Sequence, residues 1–186
     1  MRAVVLPSYG GPEVLPIEEV ADPVPGPDEV LVQVAATALN RADLLQRMGL
    51  YPDPRKAQPE IPGLEFAGTV AAVGSRVPMW QVGDRVMGIT AGGAYAERIA
   101  VHERQLLAVP ATMPLTEAAA IPEVFLTAWD ALVLQGGLTS GRWALVHAGA
   151  SGVGTASIQI AKAVGARIAV TCSPGKAALC RSLGAD

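Results

Sequence analysis

Residues 142–171 read RWALVHAGASGVGTASIQIAKAVGARIAVT, and this stretch decides the fold. The apolar run 142–147 predicts a strand, and the glycine-rich turn after it leads into a helix predicted over 152–164. A second apolar run predicts a strand over 167–171. Residues 173–183 predict a last helix, because a serine N-cap and a first-turn proline open it. This β-α-β-α order predicts the start of a Rossmann fold, a doubly wound parallel sheet.

The part of the chain before this stretch has a different pattern, with short apolar runs separated by glycine and proline. Many short strands at such spacing predict a barrel or sandwich. The predicted strands cover 3–6, 29–35, 68–73, the run entered through 82–86, 94–100 and 105–109, and helices are predicted over 116–120 and 125–134. We therefore expect an α/β chain with a strand-rich domain over 1–115 and a partial, C-terminally truncated nucleotide-binding domain over 116–186.

Composition excludes several classes of protein. The 186 residues are 51% hydrophobic and 17% charged, with a net charge of −3 and no basic run, so nucleic acid is not an expected partner. No apolar run approaches the roughly 18 residues of a membrane-spanning helix. The two cysteines are too few for a disulfide framework or a structural zinc site, which favours a reduced, cytoplasmic setting.

The turn 149–154, GASGVG, lies between a predicted strand and a predicted helix, which is the context of a dinucleotide-binding turn. The first glycine allows a tight turn, the central residues let the backbone approach a pyrophosphate, and the last glycine lets the helix pack closely. The helix N-terminus offers N–H groups and a positive dipole to the phosphates. The expected cofactor-binding residues are Gly149, Ala150, Ser151, Gly152, Val153 and Gly154. The alternative is a plain strand–helix turn.

The segment 170–176, VTCSPGK, selects among nicotinamide cofactors. An NAD enzyme places a carboxylate about 20 residues beyond the glycine turn to bind the ribose 2′-hydroxyl, and this segment contains none. Ser173 and Lys176 are suited to a 2′-phosphate instead, so NADPH is the expected cofactor. Ser173 as a helix cap and Lys176 as a solvated lysine are the alternatives.

Four further segments carry a resemblance to a known family: 38–44 ALNRADL, 62–68 PGLEFAG, 82–86 VGDRV and 118–123 AAAIPE. With the dinucleotide turn, they resemble the medium-chain dehydrogenase/reductase superfamily in its quinone oxidoreductase branch, above all the tumour-suppressor-inducible type. The resemblance covers essentially the whole chain. It implies a GroES-like N-terminal domain, a longer full-length chain and a homodimer.

The metal ligands of the alcohol dehydrogenases in this superfamily are absent. The matching positions hold Asn40, Leu64 and Glu123, and no cysteine precedes Cys172. Leucine cannot bind a metal, and asparagine is a poor zinc ligand. We therefore expect no metal and, without a Lewis acid, reduction of an electrophilic acceptor such as a quinone or activated alkene.

The resemblance assigns roles to a few more residues. It implies that Asn40 lies near the nicotinamide and that Thr127 lies on the helix beneath it. Tyr51 is expected to be catalytic, since its phenol can orient the substrate or deliver a proton. Ser151 is the second catalytic candidate through its hydroxyl. The alternatives are a helix cap for Asn40, a helix hydroxyl bonded to its own backbone for Thr127 and a loop anchor for Tyr51.

Three other functions remain open from the sequence. The first is reduction of enoyl thioesters, because the same zinc-free scaffold resembles those reductases. The second is a non-enzymatic NADPH-binding protein that senses redox state. The third is an inactive fragment of such an enzyme.

Overall fold

The computed structural model describes residues 1–54 and 57–186, and its backbone contacts divide it into two units, Met1–Pro122 and Glu123–Asp186. The first unit contains a two-stranded sheet and a five-stranded antiparallel sheet with the strand order β6-β3-β4-β5-β7. Its strands are β1 (Arg2–Val4), β2 (Ile17–Glu19), β3 (Glu29–Thr37), β4 (Glu65–Val73), β5 (Arg85–Ile89), β6 (Arg98–His102) and β7 (Leu106–Ala108), and its helices are α1 (Arg41–Arg47) and α2 (Leu115–Ala118).

Alternating side chains of the five-stranded sheet form the core of the first unit. Val30 and Val32, two residues apart on β3, are both fully buried, as the two-residue period of a strand requires. They pack with Phe66, Val70 and Val86 from the two strands that follow along the sheet. A one-residue slip would turn these side chains out of the core, so the shared buried face fixes the register of β3 against β4.

The second unit has the β-α-β order expected from the sequence. Strands β8 (Trp143–Val146) and β9 (Arg167–Val170) are parallel, with Trp143 opposite Arg167. The connecting helix α4 covers Gly152–Ala163, and its apolar face packs with β9 around buried Ile158 and Ile168. The other helices are α3 (Pro122–Trp129), which begins at the unit boundary, and α5 (Ala177–Ser182).

The expected fold class is confirmed, while β2 was not predicted and the bounds of several other elements differ from the prediction. The strand expected over 94–100 begins only at Arg98. The helix expected over 125–134 is α-helical to Trp129 and continues as a π-helix over Asp130–Gln135. The last helix begins as a 3-10 turn, Pro174–Lys176. Among the residues that the structure describes, no helix combines the length and the apolar character needed to cross a membrane.

Candidate functional site

Ser151 forms the N-cap of α4. Its backbone is extended, with φ −77° and ψ 169°, and its Oγ accepts a hydrogen bond from the Gly154 N–H at 3.1 Å. This bond satisfies one of the donors that the first turn of a helix leaves without a partner. Sequence reasoning placed Ser151 in the turn for backbone approach and for chemistry, and it missed this capping role.

Close packing explains the glycines of the turn. A Cβ on Gly154 would lie 2.4 Å from the Ala148 carbonyl oxygen, and a Cβ on Gly149 would lie 2.5 Å from the Val170 Cβ on β9. A Cβ on Gly152 would meet Val124 Cγ1 of α3 at 2.8 Å. All three glycines therefore allow contacts that any larger residue would disrupt.

The sharp bend after β8 lies at Ala148, one residue before the expected position. Ala148 has a φ of 57°, a left-handed conformation that a residue other than glycine rarely adopts. The prediction that the bend lies at Gly149 is therefore wrong by one residue. A glycine is needed at position 149 because a side chain there would clash with Val170 of β9. Strain at a single residue in a binding turn is a common feature of functional sites.

The N-terminus of α4 presents backbone donors. In the part of the chain that the structure describes, the N–H groups of Gly152 and Val153 have no hydrogen-bond acceptor. The first turn of this twelve-residue helix contains no acidic residue, so its dipole is not offset there. Together with the close approach that the glycines permit, these donors fit a pyrophosphate.

The carboxyl ends of β8 and β9 lie beside this turn, because the Gly149 N–H donates to the Thr171 carbonyl at 2.9 Å. His147 Nδ1 lies 3.0 Å from Thr171 Oγ1, so the imidazole is hydrogen-bonded to this neighbouring side chain. Ser173 takes the N-cap position of the next turn, but its side chain makes no capping hydrogen bond. Ser173 and Lys176 are both exposed, so their polar groups are available to a ligand.

Thr127 lies on α3 and is exposed. Its hydroxyl oxygen lies 3.5 Å from a carboxylate oxygen of Glu123, which is one helical turn earlier on α3. Glu123 belongs to the same helix, so the Thr127 hydroxyl contacts a side chain of its own helix rather than a backbone oxygen.

The first unit holds a buried polar network around the start of α1. Asn40 is the N-cap, its backbone N–H donates to Asp43 Oδ2 at 2.7 Å, and its side-chain amide donates to Glu65 Oε1 at 2.8 Å. The Tyr95 hydroxyl donates to the same Asp43 oxygen at 2.7 Å. Asp43 and Glu65 are 6% and 1% exposed, so these charges depend on their partners.

Electrostatics keeps the Tyr95 phenol protonated. Burial, and then the hydrogen bond to Asp43, raise the pKa of Tyr95 well above its ordinary value. The second oxygen of Asp43 and two guanidinium nitrogens of Arg47, which lies one turn along the same helix, are buried without a hydrogen-bond partner among the described residues. Sequence reasoning missed the parts that Glu65 and Tyr95 take in this network.

Tyr51 lies in a loop after α1 and is 45% exposed, so its hydroxyl is accessible to solvent. At the positions that match zinc ligands, Leu64 is buried and the Asn40 amide is engaged by Glu65. Within residues 1–54 and 57–186, no three histidine, cysteine or acidic side chains form a cluster that could hold a metal ion.

Comparison with protein families and curated sequences gives consistent relatives. Residues 26–111 match the alcohol dehydrogenase GroES-like domain. The chain is 41% identical over 186 residues to a quinone oxidoreductase of Pseudomonas aeruginosa, covering 99% of this chain and 57% of that protein. It is 38% identical over 198 residues to 2-methylene-furan-3-one reductase of Solanum lycopersicum (100% and 51%). It is 38% identical over 166 residues to the human synaptic vesicle membrane protein VAT-1 homolog (88% and 42%).

Solved structures have the same fold. The quinone oxidoreductase of Escherichia coli, complexed with NADPH, superimposes with a TM-score of 0.88 at 34% identity, covering 100% of this chain and 57% of that one. The CurK enoyl reductase superimposes with a TM-score of 0.90 at 35% identity, covering 100% of this chain and 58% of that one. An alcohol dehydrogenase superfamily protein from Novosphingobium aromaticivorans superimposes with a TM-score of 0.93 at 38% identity, covering 100% of this chain and 57% of that one. The chain thus spans about half the length of the relatives that it matches.

Proposed function

This chain belongs to the medium-chain dehydrogenase/reductase superfamily, and from that premise we propose that it acts as an NADPH-dependent, zinc-independent oxidoreductase that reduces quinones by hydride transfer. The observation that carries the proposal is the turn 148–154. There a strained residue, three glycines in close contact and two backbone donors without acceptors converge on the N-terminus of α4. Gly149, Ala150, Ser151, Gly152, Val153 and Gly154 are the proposed pyrophosphate-binding residues.

The preference for NADPH over NADH rests on the end of β9. Residues 171–176 contain no carboxylate that would bind a ribose 2′-hydroxyl and repel a 2′-phosphate. Ser173 has a hydroxyl that makes no capping bond, and Lys176 adds a positive charge nearby. The quinone oxidoreductase of E. coli, which was solved in complex with NADPH, supports this assignment.

The proposed chemistry needs little from the protein beyond orientation. A bound nicotinamide supplies the hydride, and the protein holds the acceptor, excludes water and delivers a proton. We assign Asn40 and Thr127 to the nicotinamide end of the site. Tyr51 is the proposed proton donor, because its phenol is accessible, and Ser151 is the second candidate.

A metal-independent reaction follows from the side chains at the ligand positions. Leu64 offers no donor atom, and the Asn40 amide nitrogen already donates to Glu65. A quinone accepts hydride without Lewis-acid activation, whereas oxidation of an alcohol would need it. We therefore assign the chain to reduction of activated acceptors.

Reduction of an activated alkene, such as an enoyl thioester, is the second candidate, and two relatives favour this class of reaction. One is the CurK enoyl reductase, and the other is the tomato reductase, whose named substrate is an activated alkene. Both substrates take a hydride at an electrophilic carbon, so the same site residues serve either reaction. The candidates differ in the group that must fit beside the hydride donor.

A substrate panel tests the proposal. The chain is incubated with NADPH and either a benzoquinone, a naphthoquinone or a 2-enoyl thioester, and the loss of absorbance of the reduced nicotinamide is followed with and without a chelator. We expect quinone turnover that the chelator does not change. Turnover of the thioester alone would favour the second candidate. NADPH binding without turnover of any acceptor would favour a sensor or an inactive fragment over an oxidoreductase.

The remaining assignments follow from the same proposal. We place the catalytic domain at 1–115 and the nucleotide-binding domain at 116–186, and we propose a cytoplasmic homodimer with a small-molecule substrate. The chain has two cysteines, Cys172 and Cys180, too few for a disulfide framework, and this composition supports the proposal of a reducing compartment.

A further inference from the structure

The only two cysteines of the chain lie together in the second unit. Cys172 follows β9 by two residues, and Cys180 lies on α5. Both thiols are free and pack in the same apolar cluster, where Cys172 lies close enough to Cys180 to affect its ionisation. Cys180 is 2% exposed, whereas Cys172 is partly exposed. One thiol is therefore open to a solute and the other is held behind it.

The fold keeps these thiols close together. Cys180 belongs to the buried cluster of Ile158 and Ile168, and Cys172 packs against the same cluster. The C-terminal end of α5 is also tied down, because the Ala185 N–H donates to the Cys180 carbonyl at 3.0 Å. Asp186 pairs with Ile168 of β9 through two hydrogen bonds, of 3.0 and 2.8 Å. The helix that bears Cys180 is thus attached to the strand that leads to Cys172.

We propose that Cys172 and Cys180 form a redox modification site, in which a hydroperoxide closes an intramolecular disulfide that weakens NADPH binding. The effect on NADPH rests on the proposed function, whereas the disulfide does not. The reaction is complete with the peroxide as oxidant: the Cys172 thiolate attacks one peroxide oxygen, giving a sulfenic acid and releasing water or an alcohol. The Cys180 sulfur then attacks the sulfenic sulfur, and the second water leaves with the Cys180 proton.

The surroundings of each thiol agree with this order of events. Cys172 is the accessible sulfur, so the peroxide reaches it first. Burial and the contact with Cys172 raise the pKa of Cys180, so Cys180 remains a protonated thiol until its neighbour is oxidised. The charge of Lys176 acts in the opposite direction and favours the Cys180 thiolate. Cys180 therefore suits the role of the resolving cysteine.

Disulfide closure changes the segment that we assign to the 2′-phosphate. The ring closed by the bond would contain Ser173 and Lys176. A disulfide brings its sulfurs to about 2.05 Å with a dihedral near 90°, which is closer than any contact between two separate thiols. The bond would tie Cys172 to α5, and we expect the adjoining Ser173 to shift as it forms. We expect NADPH affinity to fall at least fivefold, and NADH affinity to change less because NADH has no 2′-phosphate.

The test uses the purified 186-residue chain and hydrogen peroxide. After treatment under native conditions and quenching, we expect a monomer lighter by two hydrogen atoms and a loss of both thiols in denaturant. C172S and C180S each keep one cysteine and should form no intramolecular disulfide. A stable sulfenic acid should accumulate only in C180S. Two unreacted thiols, a disulfide between chains, or equal closure rates in the native chain and in urea would each overturn the modification site.

Cofactor binding is then measured on the reduced and oxidised chains. Weaker NADPH binding after oxidation, restored by a dithiol, supports the proposal, and unchanged affinity overturns its regulatory part. C172S serves as the matched control, because peroxide should leave its NADPH affinity unchanged. If the reduced chain binds no NADPH while the disulfide still forms, the proposed function fails and the modification site stands.

Discussion

Replacement of Ser151 separates the capping of α4 from the binding of a phosphate. Aspartate and asparagine cap helices about as well as serine, so S151D and S151N should both keep the bond to the Gly154 N–H. S151A loses that bond. The two capping variants have similar shape and differ by one negative charge, placed at the donors that we assign to the pyrophosphate. Their comparison therefore isolates electrostatics from folding.

The expected magnitudes follow from the geometry. Loss of the cap in S151A should lower the free energy of unfolding by about 1 kcal/mol, whereas S151D and S151N should remain within about 0.5 kcal/mol of the parent. Two unit charges about 4 Å apart repel by about 1 kcal/mol in water and about 4 kcal/mol near a protein surface. Because Ser151 is exposed, we expect the lower part of this range, or about a tenfold or greater loss of NADPH affinity in S151D.

The assays are urea unfolding followed by tryptophan fluorescence and NADPH titration followed by calorimetry. The reasoning predicts that S151D and S151N have equal stability and clearly different NADPH affinity, with a difference that shrinks at high salt. Equal NADPH affinity of S151D and S151N would refute the placement of a phosphate at this helix end. A large loss of stability in S151N would refute the capping assignment.

Three further substitutions test other parts of the account. G154A should lower the free energy of unfolding, measured in urea, by about 1–3 kcal/mol and abolish NADPH binding, because the added Cβ would meet backbone atoms. G175A is the matched stability control, since a Cβ at Gly175 meets nothing within 4 Å. Equal unfolding midpoints of the two variants would contradict the packing argument. Y95F should cost about 1–3 kcal/mol by removing a donor to Asp43. Because the pKa of Tyr95 is higher in the folded state than in the unfolded state, the contribution of its hydroxyl to stability should persist below pH about 10 and be lost above it. If the parent and Y95F lose stability in parallel above that pH, this pH dependence is contradicted. Y51F should lower the kcat of quinone reduction at least tenfold with little effect on NADPH affinity, and an unchanged kcat would exclude the proton-donor role.

Local signals made the second unit predictable from the sequence. The helix expected over 152–164 is observed at Gly152–Ala163, and the strands on either side agree within one or two residues. Capping residues and periodicity act within a few positions, so they can be read without knowledge of the rest of the chain. The bend at Ala148 escaped detection because alanine rarely adopts a positive φ, and nothing in the sequence marks the exception.

In the first unit, contacts between residues that are distant in sequence determine the features that could not be predicted, namely the start of β6 and the buried polar network. The strand expected from residue 94 begins late because Tyr95 and Glu97 bond to the first strand and to the end of β3. The Val4 N–H donates to the Tyr95 carbonyl, and the Glu97 N–H donates to the Arg2 carbonyl. The Val34 N–H donates to the Glu97 carbonyl. The buried network has the same origin, since Tyr95 and Asp43 are 52 residues apart in sequence.

The central claim is that the N-terminus of α4 binds the pyrophosphate of NADPH and the end of β9 binds its 2′-phosphate. Calorimetric titration of the purified chain with NADPH and with NADH, alongside K176A, tests it most directly. The account predicts that NADPH binds at least tenfold more tightly than NADH, and that K176A weakens NADPH binding while leaving NADH binding almost unchanged. No binding of either nucleotide, or tighter binding of NADH, would contradict it.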